Sequence, residues 1–324
     1  MEPQSHAAAI GVVVIGRNEA QLDACLASVL RGAARVVYVD SGSTDPSVAV
    51  ARRRGVDVLE LDPGRPFNAA RARNEGFARL RAHHPECDFV QFVDGDCELA
   101  DSWLEKAADF LASRPDAATV AGRLREKNPG ASIYNALCDI EWDVPPGESQ
   151  ACGGVFMVRA KAFEKAGGFR EDLLAGEEPE LTRRLAEQGW RHWRIAGDMA
   201  WHDAGLLTFS QWWTRTVRNG YGFGQGFALA RPAGERLWAR QLRSAWLWAG
   251  VIPALGIVGL LVWGLPALAI GFLYPFQIAR LALRGTRSRT VNWWSAALLV
   301  VGKFAEFAGH IRYLIEWPRA AHER

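Results

Sequence analysis

Short apolar runs and amphipathic stretches alternate along the first third of the chain. Ala9–Ile15 is a nearly continuous apolar run, the pattern of a strand buried on both faces. Leu22, Cys25, Leu26 and Val29 then recur at helical spacing, and Gly32 follows as a stop. Val36–Val39 predicts a second strand, Thr44–Arg54 a helix ended by Gly55, and Val56–Leu61 a third strand. Pro66–Ala82 predicts another helix, and Phe89–Val93 a fourth strand. This rhythm implies an α/β domain with a doubly wound, mostly parallel sheet, whose ligands bind at the carboxyl ends of the strands. Asp40 ends the second predicted strand and Asp94-Gly95-Asp96 ends the fourth, so all three carboxylates are expected on one edge. Clustered carboxylates there offer hard oxygen ligands to Mg²⁺ or Mn²⁺, which bridge readily to phosphates. The alternative is an ordinary turn after a strand, since Asp and Gly are common turn residues.

The last third has a different pattern. Ala245–Ala279 contains no charged residue, and Gly264-Leu265-Pro266 falls near its middle. The stretch is too long for one crossing of a roughly 30 Å hydrocarbon core and short for two. It predicts a tight helical hairpin at about 245–280, either two short spans or a re-entrant pair. From Val291 to Leu314 the apolar positions are interrupted by Lys303, Glu306, His310 and Arg312. That predicts an amphipathic helix at about 291–315 lying on a membrane rather than a third span. The expected organisation is therefore a catalytic domain over 1–225 and a helical membrane-associated region over 226–324.

Charge sharpens the division. Residues 205–324 hold 14 Lys and Arg against 4 Glu and no Asp, leaving 24 basic and 32 acidic groups in the first 204. A basic half next to an acidic half suggests an anionic partner, either nucleic acid or the cytoplasmic leaflet of a membrane. The uncharged 245–279 run and the aromatics decide for the membrane, with no nucleic-acid partner. Trp246, Trp248, Trp293 and Trp294 fit an interfacial belt, and twelve of the 14 Trp lie from Trp190 onward. Arg240 and Arg243 flank one end of the hairpin, and Arg280, Arg284, Arg287 and Arg289 the other. Both ends then belong on the cytoplasmic side of the inner membrane. Met1–Ala9 lacks the basic-then-apolar pattern of a secretory leader. The five cysteines are odd in number with no C-x-x-C spacing, which argues against a disulfide framework or a zinc site.

Several motifs occur together in order: Val12–Glu19, Val39-Asp40-Ser41-Gly42-Ser43-Thr44-Asp45, Arg73-Asn74-Glu75-Gly76 and Asp94-Gly95-Asp96. They continue with Gly167–Glu171, Gly176-Glu177-Glu178-Pro179-Glu180-Leu181 and His202. Over roughly residues 9–225 the set resembles a family 2 glycosyltransferase with the type A, Rossmann-like glycosyltransferase fold. That resemblance implies Asn18, Glu19 and Asp40 at the base and ribose of a nucleoside-diphosphate-sugar, a UDP-sugar first among the candidates. Arg73 and Asn74 would reach the diphosphate or order the metal loop, Arg being suited to phosphate by its planar fork. Whether Arg71 or Arg73 points inward stays open, as does a turn-forming role for Asp40.

Asp96 would ligate Mn²⁺ or Mg²⁺ directly, with Asp94 nearer the ribose or reaching the metal through water. His202 would complete the metal site; a structural histidine beside Trp is the alternative. The general base would be Glu178, where the family usually has Asp, with Glu177 as the alternate. Pro179 in the first turn places Glu178 near a helix N-terminus, where the dipole favours an ionised carboxylate. Gly153 and Gly154 would let backbone approach the transferred sugar. Trp213, Arg215 and Arg218 would close over the diphosphate or meet lipid headgroups, with a surface helix as the alternative.

The implied activity is inverting transfer of a single sugar to an acceptor hydroxyl, and a polyprenyl-diphosphate-linked glycan of surface-polysaccharide assembly suits the membrane segment. Transfer to a polyprenyl phosphate itself is the near alternative. A catalytically inactive scaffold or nucleotide-sugar sensor is the alternative from another class. The Gln-x-x-Arg-Trp arrangement of processive synthases is absent, which favours one sugar per encounter.

Overall fold

The computed structural model describes residues 10–173, 175–230 and 237–322. The N-terminal segment read above for a secretory leader lies outside them. The chain divides into two compact units: residues 1–128, 138–172 and 177–204, and residues 129–137, 173–176 and 205–324.

The first unit is built on one mixed sheet. β1 (Ile10–Gly16), β2 (Arg35–Asp40), β3 (Asp57–Glu60) and β4 (Phe89–Asp94) pair in parallel in the order β3-β2-β1-β4. They are joined by α1 (Leu22–Leu30), α2 (Ser47–Arg53) and α3 (Ala69–His83). The continuous apolar runs fit this placement, since Val12, Val13, Val14, Val37, Val39, Val90, Phe92 and Val93 are all buried. Thr44–Pro46 stays a loop ahead of α2, and α3 starts at Ala69 because the Asn68 side chain caps it, accepting from the Arg71 N–H at 2.8 Å.

Beyond β4 the parallel run gives way. α4 (Trp103–Ser113) precedes β6 (Ala117–Glu126), and α5 (Ile133–Glu141) follows it. β8 (Phe156–Arg159) lies antiparallel to both β4 and β6, while β9 (Arg191–His202) runs parallel to β6. β5 (Cys97–Leu99) and β7 (Gly147–Glu148) add antiparallel to β9. α6 (Ala160–Ala166) and α7 (Glu177–Glu187) fill the connection from β8 to β9. The parallel arrangement expected from the sequence thus holds where helices separate the strands. It stops where short segments fold back.

Two registers set the functional edge. Gly16 lies beside Asp40 and Ile15 beside Asp94, so β1, β2 and β4 end together. Cys97 lies opposite His202, which brings the end of β9 alongside Asp96. α3 packs on this sheet through Gly76, where a Cβ would lie 2.5 Å from Val13 Cγ1 and 2.6 Å from Val39 Cγ2. Gly76→Ala is expected to lower stability by about 1–3 kcal/mol through overpacking. Gly130→Ala, at a position with open space around it, is expected to change the melting temperature little.

In the second unit, α8 (Phe209–Ala230) packs against α12 (Arg289–His322). Backbones meet there: a Cβ on Gly220 would lie 2.1 Å from Glu306 O, and one on Gly309 would lie 1.9 Å from Val217 O. Residues 205–225, read from sequence with the catalytic domain, belong with this helical unit because α8 packs on α12. The predicted amphipathic helix falls within α12, where Ala296, Leu298, Val300, Ala305, His310 and Tyr313 are buried and Lys303 pairs with Glu306 at 2.8 Å.

The apolar stretch between them forms a helical hairpin. α9 (Ala239–Ala245) continues through a π-helical turn at Trp246–Val251 into α10 (Ile252–Trp263). Gly264, at φ +69°, reverses the chain into a 3₁₀ segment, Leu265–Phe272, and then α11 (Leu273–Arg284). Both arms, Ala239–Trp263 and Leu265–Arg284, are long and apolar enough to cross a membrane, and both are largely exposed.

Candidate active site

The acidic motifs converge on the edge where β1, β2 and β4 end. Asp96 Oδ2 lies 3.0 Å from His202 Nε2, and the imidazole stacks on Trp142 with ring centroids 4.9 Å apart. Burial works to raise the Asp96 carboxyl, but the His202 hydrogen bond and charge outweigh it and leave Asp96 below its ordinary value. Burial works to lower His202 in turn, and Asp96 outweighs it and raises the imidazole. Glu19 completes the cluster: burial first, then the Asp96 charge, push its carboxyl up to about 7.

Asp96, Cys97 and His202 present ligand atoms within 4.8 Å of one another. A hard divalent cation fits the oxygens and the imidazole of this set. The Cys97 thiol does not, because burial and the neighbouring aspartates hold it well above its usual value, and its Sγ instead approaches Asp96 Oδ1 at 3.6 Å. His202 Nδ1 is buried without a hydrogen-bond partner among the described residues, and Trp142 covers the ring face. Of the two nitrogens, Nε2 is therefore the one aimed at the acidic cluster.

Arg73 is the centre of the second half of the site. Its guanidinium is buried and donates to Asp94 Oδ1 at 2.8 Å and to Glu177 Oε1 at 3.0 Å, with Glu178 Oε1 3.8 Å away. Burial opposes its charge, and the three carboxylates more than compensate, keeping it fully cationic. Arg71 turns the other way, bonding Glu75 at 2.6 Å and the carbonyls of Asp62 and Arg65. The sequence left open which arginine points inward; Arg73 does.

Gly154 lies against this group. A Cβ there would come within 2.9 Å of Arg73 Nη2, 3.1 Å of Asp94 Oδ2 and 3.2 Å of Glu178 Oε1. A side chain there would press on all three groups, and Gly153 before it takes φ +81°. Burial first, then the Glu177 charge, push the Glu178 carboxyl up to about 7 against the pull of Arg73.

Other predicted residues hold the loops around this edge. Asp40 is buried, and its oxygens accept from Gly42 N at 3.0 Å, Ser43 N at 2.8 Å and the Tyr38 hydroxyl at 3.1 Å. It shapes the Ser41–Asp45 loop, the turn-forming alternative. Asn18 holds the same loop, accepting from Thr44 N at 2.7 Å while its own N–H donates to Ser43 Oγ at 2.8 Å. Its φ of +56° turns the chain out of β1 towards Glu19.

Asn74, expected at the diphosphate or metal loop, holds the segment leading towards α7. Its amide donates to Phe169 O at 2.9 Å and Glu171 Oε1 at 3.1 Å, and its Oδ1 accepts from Phe169 N at 2.8 Å. Its polar atoms are thereby engaged away from Asp94 and Asp96. Trp213, Arg215 and Arg218 lie on α8, in the second unit. Sequence reading missed Trp142, just past the end of α5, whose stacking on His202 at the end of β9 joins distant segments.

The comparisons accord with this geometry. The family model "Glycosyl transferase family 2" matches residues 10–166. The pre-mycofactocin glycosyltransferase of Mycobacterium tuberculosis is 32% identical over 197 residues, which is 56% of this chain and 40% of that protein. The succinoglycan biosynthesis protein ExoA of Rhizobium meliloti is 29% identical over 176 residues, 49% of this chain and 51% of that protein. The chain thus spans about half or less of the length of these relatives. Among solved structures, a mannosyltransferase from Pyrobaculum calidifontis, in complex with GDP-mannose and Mn²⁺, superposes with a TM-score of 0.59 at 19% identity. The match covers 94% of this chain and 87% of that one. The match to glycosyltransferase family 2 spans residues 10–166, and the fold is the type A glycosyltransferase fold.

Proposed function

We propose that the protein is a membrane-attached, metal-dependent, inverting glycosyltransferase. It moves one sugar from a nucleoside-diphosphate-sugar to a hydroxyl of a lipid-linked glycan, with its catalytic unit on the cytoplasmic face. The observation that carries this reading is the grouping against Gly154, where Asp94 and Arg73 of the donor side meet Glu178 of the acceptor side. A sugar bound beside this group would have one carboxylate for its hydroxyls and another for an incoming nucleophile. The family 2 domain and the polysaccharide role in the name of ExoA support the same class of chemistry.

Asp96 and His202 would hold Mn²⁺ or Mg²⁺, with Asp94 close by at the end of β4. When bound, the cation supplies charge neutralisation to the diphosphate leaving group. Glu178 accepts the proton of the acceptor hydroxyl as its oxygen bonds to the anomeric carbon. The bond from that carbon to the diphosphate breaks in the same displacement, which inverts the centre. Arg73 fixes Asp94 and Glu177 on either side of the sugar, so the reacting groups are placed before substrate arrives. The exposed apolar hairpin with arginines at both ends supports a membrane-borne acceptor.

Turnover of UDP-, GDP- and dTDP-sugars with Mn²⁺ and extracted membrane lipid tests the proposal. Release of nucleoside diphosphate coupled to a glycosylated lipid is expected for one donor; no lipid-dependent release from any donor overturns it. Trp142→Ala should raise the Mn²⁺ concentration for half-maximal activity on the order of tenfold, because the imidazole loses the ring that orients it. A metal titration of activity checks this.

A further inference from the structure

We infer that the hairpin enters the bilayer from one leaflet and turns inside it, with no residue reaching the far aqueous phase. This deepens the membrane reading above and rests on it.

Depth is the first ground. The Tyr274 hydroxyl donates to Trp248 O at 2.7 Å, so the two arms are level there, and Trp246 and Trp248 mark the interfacial end beside Arg240 and Arg243. From Trp248 to Gly264 the helical rise is about 24 Å. Returning through the 3₁₀ segment to Tyr274 gives about 19 Å. Both fall short of the roughly 30 Å hydrocarbon core, and any tilt shortens them further.

Composition is the second ground. From Ala249 to Leu273 the only side chain with a hydrogen-bonding group is Trp263, at the apex. A loop emerging into water has no need to be this apolar. Here Leu261, Trp263, Leu265 and Phe272 are 70–82% exposed around the turn. Trp263 is long enough to direct its indole N–H towards the far headgroups while the backbone stays below them.

The backbone supplies the third ground, since lipid offers no hydrogen bonds to an open turn. Gly264 N donates to Leu260 O at 3.0 Å, and Ala267 N donates to Gly264 O at 3.1 Å. Pro266 has no N–H to satisfy. The arms close tightly beneath the turn, where a Cβ on Gly259 would lie 2.9 Å from the Ala267 Cβ. The reversal thus pairs the Gly264 and Ala267 donors internally, as immersion in hydrocarbon favours.

The test uses the full chain in sealed membrane vesicles of both orientations, with a membrane-impermeant maleimide. The five native cysteines are buried. Thr286→Cys, on the arginine-flanked side, should be labelled from one face. Leu265→Cys should stay at background from both faces and react only after detergent. Labelling of Leu265→Cys from the face opposite Thr286→Cys would overturn the inference in favour of two crossings, with membrane attachment intact. Release of the protein by alkaline carbonate would overturn the membrane reading and the inference with it.

Discussion

Replacing Asp96 by asparagine is expected to lower kcat/KM by about three orders of magnitude while the protein stays folded. Asparagine keeps the shape of the side chain and can still accept from His202 Nε2, so the 3.0 Å contact survives. It loses the charge that draws a cation to the cluster. The cation's neutralisation of the leaving group amounts to several kcal/mol, and each ~1.4 kcal/mol is a decade in rate. The melting temperature should shift by only about 2–4 °C, as for a change near 1 kcal/mol in a chain of this size. Steady-state kinetics and a thermal melt on the same preparation separate a chemical loss from unfolding.

The second large effect belongs to Glu178. Glu178→Gln should lower kcat by about 10²–10⁴-fold, the usual contribution of a general base, while donor binding is retained. Glu177 makes the closer contact with Arg73, at 3.0 Å against 3.8 Å, so Glu178 is the freer carboxylate for proton transfer. A base with its carboxyl pushed up to about 7 must lose its proton to work. The kcat/KM profile should therefore fall about tenfold per pH unit below that point, and this acid limb should disappear in Glu178→Gln.

Stability should move in the opposite direction. Glu178 and Glu19 are both raised from 4.5 to about 7 in the folded protein. Between those values the native state holds protons that the unfolded chain has released. Their contribution is thus fully present below about pH 4.5 and declines as pH rises through 7. Melting temperature against pH reads that slope.

Much of this was legible in the residues. Strands buried on both faces show as unbroken apolar runs, so Ile10–Gly16 and Phe89–Asp94 could be placed almost to the residue. With β1, β2 and β4 parallel, their ends had to share an edge, which brought Asp40 and Asp94 to it, with Asp96 just beyond. Contacts that depend on rotation about a helix axis were harder to read. Arg71 and Arg73 have the same chemistry, and only the packing of α3 decides that Arg73 meets Asp94 while Arg71 turns to the Asp62–Arg65 loop. Long-range pairing was also hidden. That Trp142 stacks on His202 follows from how β9 and the end of α5 are held, and no local pattern records it. Asp40 also bonds the turn N–H groups of Gly42 and Ser43, a local contact that the strand pattern leaves open.

The most direct measurement is the affinity for a nucleoside diphosphate with and without Mn²⁺, by titration calorimetry, in wild type and Asp96→Asn. Because coupling between ligands is reciprocal, a cation shared by the protein and the diphosphate must strengthen binding of each to the other. The account predicts that Mn²⁺ tightens nucleoside diphosphate binding by tenfold or more, in the usual range for such coupling of about 5–150-fold, and that Asp96→Asn abolishes the gain. Equal affinity with and without the cation in wild type would contradict it.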